Sequence, residues 1–363
     1  MKDTIMVIGG YGQVGKHICT HLLSQNKHII VAGRNKTKLN LFMLEATQSI
    51  QQNKINNQAN QLNSNNKSNQ DKLSAIAARV VDVANWQDTY LEGVTTVIMA
   101  LEQNNLEVME ACTRCGVNYV DITPTGTLIE AMEEKREEIQ KSRIVACIGV
   151  GIAPGISNVI CENLARQFSE IEEINSYLML GIGEQHGSNA VDWLVENLGK
   201  SFYVNGDKTK LRKSFSDGRW AHLQGEKRKR RYVRIDLADW HIMKKQHPEA
   251  KVQSWYAYDQ NGVTMLFEAL QKVGLFNLLK FPRFKKVFTN LMSLEMKLME
   301  KIHFGTDRYA VMVEVKGICD GKRVIKRKEY KGRVNSKITG KSAAYAAINL
   351  EEKEPGLYYM NEL

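Results

Sequence analysis

The hydrophobic positions of this 363-residue chain follow two regimes. Over roughly the first 150 residues, short apolar runs at 5–8, 28–32, 78–82, 95–100, 119–122 and 144–150 predict strands. Between them, apolar residues return every three or four positions, as Val14, Ile18 and Leu22 do. That spacing predicts helices over 16–23, 38–45, 105–115 and 126–142. Strand alternating with helix is the pattern of a parallel, doubly wound sheet. Further along the pattern changes: 173–180 and 232–236 read as strands and 190–198 as a helix. Residues 265–270 and 281–302 are helical, and 307–315 alternate as a strand with one buried face.

One tract breaks the first pattern. Asn and Gln dominate 48–70, a composition that buries too little apolar surface to order itself, so these residues are expected to form a flexible insert between the second and third strands.

The first strand runs straight into Gly10-x-Gly12-x-x-Gly15 and then a helix. In that context the three glycines have separate uses. Gly10 can take the tight turn, Gly12 leaves the backbone open to a pyrophosphate, and Gly15 lets the helix pack closely. Tyr11, Gln13 and Val14 share the loop, and the expected ligand is a dinucleotide. After the second strand an NAD site would carry Asp or Glu, whereas this chain reads Gly33-Arg34-Asn35. A guanidinium there suits the 2′-phosphate of NADP, with NAD the weaker candidate. The alternative is that Arg34, Lys36 and Lys38 begin a solvated helix. Asp82 and Val83, at the end of the third strand, either touch the adenine or cap a turn. Ala100, Leu101 and Asp121 end the fourth and fifth strands, the edge along which ligands lie in such sheets.

Composition narrows the setting. With 43% apolar and 25% charged residues the chain is of ordinary globular type. It has no apolar run near the length needed to span a bilayer and no leader-like N-terminus, so a cytoplasmic protein is expected. Six scattered cysteines suggest reduced thiols, and Cys112 and Cys115 lack the companions that a metal site needs. The net charge of +10 raises the question of nucleic acid. Its densest run, 227–234, lies in no nucleic-acid-binding motif and reads as a basic hairpin, so no nucleic-acid partner is expected.

A second glycine-rich junction, Gly151-x-x-Pro154-Gly155-x-Ser157-Asn158, leads into another helix. Taken with the opening fingerprint, Gly33-Arg34-Asn35, Tyr119-Val-Asp121-Ile122 and the tail Thr339-Gly340-Lys-Ser-Ala343-Ala344, it resembles the saccharopine dehydrogenase-like family. The resemblance implies an N-terminal Rossmann domain over 1–155 and an α+β domain with a mainly antiparallel sheet over 156–336. It also implies a C-terminal segment, 337–363, whose helix returns to the first domain. The implied activity is nicotinamide-dependent reduction of an imine or oxidation of a secondary amine, with a small amino-acid-derived substrate. The chain departs from that family at Met99–Asn104 and in the loop Glu184-Gln-His186-Gly.

Glu184 and His186 form either an acid–base pair or a hydrogen-bonded structural loop. With Asp121 they are the candidates to manage the amine proton. Arg219 and Arg308 are candidates to hold a substrate carboxylate, or else are surface charges. Gly151, Pro154 and Gly155 are expected on the substrate side, and no metal is expected. The remaining histidines, His241 among them, show no such setting. The Met- and Phe-rich stretch 265–302 is expected to pack in a core or a homodimer, with contact to an anionic membrane surface as the alternative. An enoyl-type reductase of a hydrophobic substrate and a non-catalytic NADP-binding protein are the competing functions.

Overall fold

In the computed structural model, residues 3–60, 75–184, 188–204, 209–302 and 304–363 are described. The chain divides into two compact units. One comprises Met1–Thr123, Ala131–Val150 and Thr339–Leu363, the other Pro124–Glu130 and Gly151–Ile338.

The first unit is built on a seven-stranded sheet. Its strands are β1 (Thr4–Ile8), β2 (His28–Gly33), β3 (Ile76–Val80), β4 (Thr96–Met99), β5 (Asn118–Asp121), β6 (Val145–Ile148) and β15 (Gly356–Tyr359). The order is β15-β6-β5-β4-β1-β2-β3 with every pair parallel. The strand order reverses between β1 and β4, the switch point at which such sheets bind ligands. Helices α1 (Gln13–Ser24), α2 (Lys36–Asn60), α3 (Glu107–Cys115), α4 (Gly126–Glu134) and α5 (Arg136–Lys141) connect the strands. On α1, Ile18, Cys19 and Leu22 recur at helical spacing and are buried with Ile5, Val7 and Val31.

Three features differ from the sequence expectation. First, α2 does not stop near 45 but continues to Asn60, well into the polar tract, and 61–74 lie outside the described residues. Residues 36–60 contain neither Gly nor Pro, so nothing in them interrupts the helix once Asn35 caps it, accepting from the Lys38 N–H at 3.0 Å. Second, the helix expected over 126–142 is two helices separated at Lys135. Third, the C-terminal segment contributes more than a helix, because β15 extends the sheet beyond β6.

The second unit carries a six-stranded sheet of β7 (Glu170–Leu180), β10 (Gly218–Ala221), β11 (Arg230–Arg234), β12 (Lys251–Tyr258), β13 (Arg308–Cys319) and β14 (Lys322–Arg333). A separate pair is formed by β8 (Ser201–Tyr203) and β9 (Leu211–Lys213). The large sheet is ordered β10-β11-β12-β7-β13-β14, with β12 parallel to β7 and the other pairs antiparallel. The β13–β14 hairpin turns at Asp320-Gly321, both at positive φ, the conformation that Asp-Gly favours in tight hairpins. Residues from α6 (Ser157–Ala165), α7 (Ser188–Gly199), α8 (Ala238–Gln246), α9 (Asn261–Lys272) and α10 (Pro282–Lys301) share a large apolar core with the sheet, while Tyr177, Tyr232, Trp255 and Met312 form a smaller cluster. Half of the six cations in the basic run 227–234 are paired: Arg230 with Glu226, Arg231 with Glu268 and Arg234 with Asp217.

The last helix, α11 (Asn335–Asn349), starts in the second unit and continues in the first, where Ala343, Ala344, Ala346 and Ala347 join the core of the parallel sheet. Gly340 allows this close approach. A Cβ there would lie 2.7 Å from the Cβ of His17 and 3.0 Å from the backbone of α1.

Candidate functional site

The glycine turn stands at the switch point, but its glycines divide the work differently from the expectation. Gly9, not Gly10, takes the left-handed conformation, with φ +82°, and its N–H donates to the Ala32 carbonyl at 2.8 Å. Gly10 is needed for space, since a Cβ there would meet Val31 at 2.8 Å and the Val7 carbonyl at 2.9 Å. A Cβ on Gly15 would fall 2.2 Å from the Gly9 carbonyl, so the first turn of α1 lies directly on the loop. Gly12 is different. A Cβ there would meet only the Gly9 carbonyl oxygen, at 3.1 Å, and no side chain caps the helix that begins beside it. A bare backbone at a helix N-terminus is what a pyrophosphate requires, so the residues present fit a dinucleotide. Gln13 and Val14 open this helix.

From the turn, the site extends in two directions. Toward β2, the Tyr11 ring lies against Gly33, whose added Cβ would come within 2.5 Å of it, and the Asn35 N–H donates to the Tyr11 hydroxyl at 3.4 Å. Arg34 is exposed next to them. The Asp82 carboxylate accepts from Asn85 Nδ2 at 2.8 Å and from the Ala84 N–H at 3.1 Å, which makes it the cap of a short turn that includes Val83. These bonds, with the charge of Arg34 nearby, hold Asp82 below the usual carboxylate range.

Toward β4 and β5, the Ala100 N–H continues the ladder to Ile8, and the Leu101 side chain lies over Gly9. Beyond them is a buried polar cluster. Asp121 Oδ2 accepts from the Tyr119 hydroxyl and from Gln103 Nε2, both at 2.6 Å, and Oδ1 accepts from the Thr123 N–H at 2.6 Å. Gln103 Nε2 also donates to the Tyr119 oxygen at 2.8 Å. Burial pushes the Asp121 carboxyl up to about 7, against the three bonds that favour its charged form. Asp121 has no exposed surface, so in this conformation it acts on its neighbours and reaches no substrate.

The candidates in the second unit fare unequally. The Glu184 carboxylate caps α11, accepting from the N–H groups of Asn335 and Ser336 at 2.6 and 2.9 Å. His186 lies outside the described residues. Gly151, Pro154 and Gly155 are buried in a turn whose Gly155 N–H donates to Asn158 Oδ1 at 3.0 Å. Asn158 in turn donates to the Asp239 carbonyl at 3.1 Å, so this motif also anchors α6 to α8. Arg308 is exposed at the start of β13. Arg219 is half-buried, donates to Asn175 Oδ1 at 3.0 Å and lies over the rings of Tyr177 and Trp255. Among the described residues no carboxylate lies within ion-pair distance of Arg219.

One residue without a distinctive setting in the sequence acquires one in the fold. His241 is clamped between two carboxylates, with Nδ1 2.7 Å from Glu130 and Nε2 2.8 Å from Asp236. Lys200 holds the other oxygen of Asp236 at 2.7 Å. Burial works against the charged forms here, but the hydrogen bonds prevail: His241 is raised above its ordinary value and Asp236 is held at about 2. Gly126 is part of the clamp, since a Cβ there would fall 2.1 Å from His241 Nε2.

Residues 5–147 match the saccharopine dehydrogenase NADP binding domain family. The whole chain is similar in fold to apo saccharopine dehydrogenase (L-Glu forming) from Saccharomyces cerevisiae, with a TM-score of 0.65 and 14% identity over 99% of this chain and 95% of that one. A meso-dapdh mutant of Clostridium tetani E88 with DAP is a more distant match, with a TM-score of 0.45 and 12% identity over 100% and 94% of the two chains. No curated protein matches the sequence. The first unit thus carries an NADP binding domain of the oxidoreductase class. The chain is an NADP-dependent oxidoreductase whose residues 5–147 match the saccharopine dehydrogenase NADP binding domain. No helix among the described residues is long and apolar enough to cross a membrane.

Proposed function

We propose that this oxidoreductase acts on a carbon–nitrogen bond, reducing an imine or oxidising a secondary amine in an amino-acid-derived substrate. The observation that carries the reading is Arg219. It is a half-buried guanidinium that lies over two aromatic rings and donates to Asn175, with no carboxylate partner among the described residues, which suits the carboxylate of such a substrate. Saccharopine dehydrogenase, whose fold the chain follows along nearly its whole length, supports the same reaction class.

In this reading Gly12 and the start of α1 hold the pyrophosphate, and Arg34 with Asn35 takes the 2′-phosphate. When bound, NADP supplies or accepts the hydride. Arg219, with Arg308 as a second cation, orients the substrate by its carboxylate, while Gly151, Pro154 and Gly155 shape the backbone on the substrate side. The proton on nitrogen is assigned to His186, a side chain that exchanges protons near neutral pH without a large perturbation. Asp121 is a positioning residue that holds the segment after β4 through Gln103 and Tyr119, and Glu184 acts by fixing the start of α11.

The protein is further proposed to be cytoplasmic and to form a homodimer through the exposed face of α10. The test of function is NADPH oxidation in the presence of pairs of a 2-oxo acid and an amino acid. Turnover that requires both members of a pair supports the C–N reading, and an Arg219→Met variant should then raise KM about tenfold or more, as expected for a lost charge-assisted pair. Turnover with enoyl thioesters alone would replace the C–N reading. NADPH binding without turnover in either screen would leave a non-catalytic NADP-binding protein.

A further inference from the structure

The side chain of Tyr11 links the glycine turn to the end of β2. Its ring lies on Gly33, where an added Cβ would fall 2.5 Å from Cε1 and 3.0 Å from the hydroxyl oxygen. Gly33 is not at positive φ, so what glycine supplies there is room for the ring and not a left-handed turn. The same contact places the hydroxyl, which accepts from the Asn35 N–H at 3.4 Å. The phenol oxygen therefore stands over the segment Gly33-Arg34-Asn35. Besides the lone pairs that accept, a hydroxyl has a proton of its own to give. Among the described residues that proton meets no acceptor. Tyr11 is only half-buried and stands beside the exposed Arg34, Asn35 and Lys36, so this edge is open to a ligand.

The chemistry of the position is the reverse of an NAD site. There a carboxylate after the second strand accepts from the ribose hydroxyls. Here the Tyr11 ring fills the space that a side chain on residue 33 would need, and the group it brings is a neutral donor. Its surroundings are positive: Arg34, Lys36 and Lys38 are exposed, and the 25-residue helix α2 begins at Lys36. The carboxylate nearest to Arg34 in this region, Asp82, is already bound to its own turn. A donor without an acceptor in such a setting suits an anion.

We propose that the Tyr11 hydroxyl donates to the 2′-phosphate of NADP, which makes Tyr11 a specificity-determining residue beside Arg34. This rests on the phosphate site proposed at Arg34. Tyr11 adds a donor that comes from the pyrophosphate turn, so one side chain ties the turn to the group that distinguishes NADP from NAD.

The test is calorimetric titration of wild type and Tyr11→Phe with NADPH and with NADH. The substitution removes one oxygen atom and keeps the ring on Gly33. Loss of a hydrogen bond to a charged group should weaken NADPH binding about tenfold or more, while NADH affinity should stay within a factor of about two. Unchanged NADPH affinity would overturn the proposal. An equal loss for both cofactors would overturn it too, because the hydroxyl would then order the turn and read no phosphate. A second pair of probes removes the nicotinamide half from the comparison: Tyr11→Phe should weaken adenosine 2′,5′-bisphosphate and not adenosine 5′-monophosphate, and equal effects on the two would count against the proposal in the same way. Equal wild-type affinities for NADPH and NADH would overturn the phosphate site at Arg34, and this proposal with it.

Discussion

At the scale of single residues, the chain makes its cofactor choice at Arg34. The guanidinium is exposed at the end of β2, beside a carboxylate, Asp82, that is already bound to its own turn. A charge-assisted hydrogen bond to phosphate contributes about 1.5 to 3 kcal/mol, so NADPH should bind at least about tenfold more tightly than NADH. Arg34→Asp should reverse that order, because a carboxylate repels the 2′-phosphate and accepts from a free ribose hydroxyl. Dissociation constants for both cofactors decide the matter, and equal wild-type values would return Arg34 to the solvated-helix reading. A second residue-scale prediction concerns His241. Its folded value is raised, so the stability it adds is fully present below the ordinary histidine range and is lost as pH rises through the raised value. At pH 6, His241→Gln should cost about 3 kcal/mol, as for breaking a buried ion pair, and the deficit relative to wild type should shrink toward pH 9. A deficit independent of pH, measured by denaturant unfolding, would mean that His241 acts by packing alone. Such a cluster was hidden in the sequence because Glu130 lies 111 positions from His241 and nothing in their spacing marks them as neighbours. The glycine fingerprint was visible because all its parts are adjacent in sequence. Even there, the left-handed turn fell to Gly9.

At the scale of elements, what could be read from sequence follows burial. Strands β1, β2 and β4 are covered on both faces, so their apolar runs stand out, whereas β14 alternates between half-buried and exposed residues and carries little signal. The short β15 carries little signal for another reason: four residues, two buried and two half-buried, are too few to show a period. The polar tract departs in the opposite sense: its low hydrophobicity predicts no helix, yet α2 continues through part of it. Helix α10 shows a feature that periodicity alone could not assign. Phe284, Phe288 and Met292 pack on the core, while Val287, Leu291, Leu294, Leu298 and Ile302 are exposed along and just beyond the helix. Steps of three and four form a seam of the width that one apposed helix covers, which is the basis for assigning it to a second copy of this chain. Wild type should scatter light as a dimer. Leu291→Glu combined with Leu294→Glu should scatter as a monomer with unchanged NADPH affinity. A monomeric wild type that floats with phosphatidylserine vesicles would assign the seam to a membrane surface instead.

At the scale of the whole molecule, the first unit draws on both ends of the chain. The parallel sheet is completed by the last 25 residues, Thr339–Leu363, which supply the four core alanines of α11, Leu350, and the β15 ladder to β6. Burying those side chains contributes on the order of 5–10 kcal/mol at about 0.8 kcal/mol per methylene-sized group, comparable to the whole stability of a domain. A chain ending at Ile338 should therefore lose the first unit's cooperative fold and, with it, NADPH binding, even though the glycine turn and Arg34 remain in place. The second unit keeps its own sheet and core, so amides of β7, β12 and β13 should stay protected from hydrogen exchange while those of β1, β2 and β4 lose protection. Gly340→Leu should act in the same direction without truncation, because its side chain must enter the space held by His17 and the backbone of α1. Retention of wild-type NADPH affinity by the truncated chain would show that residues up to 150 fold by themselves and that the C-terminal segment only decorates the sheet.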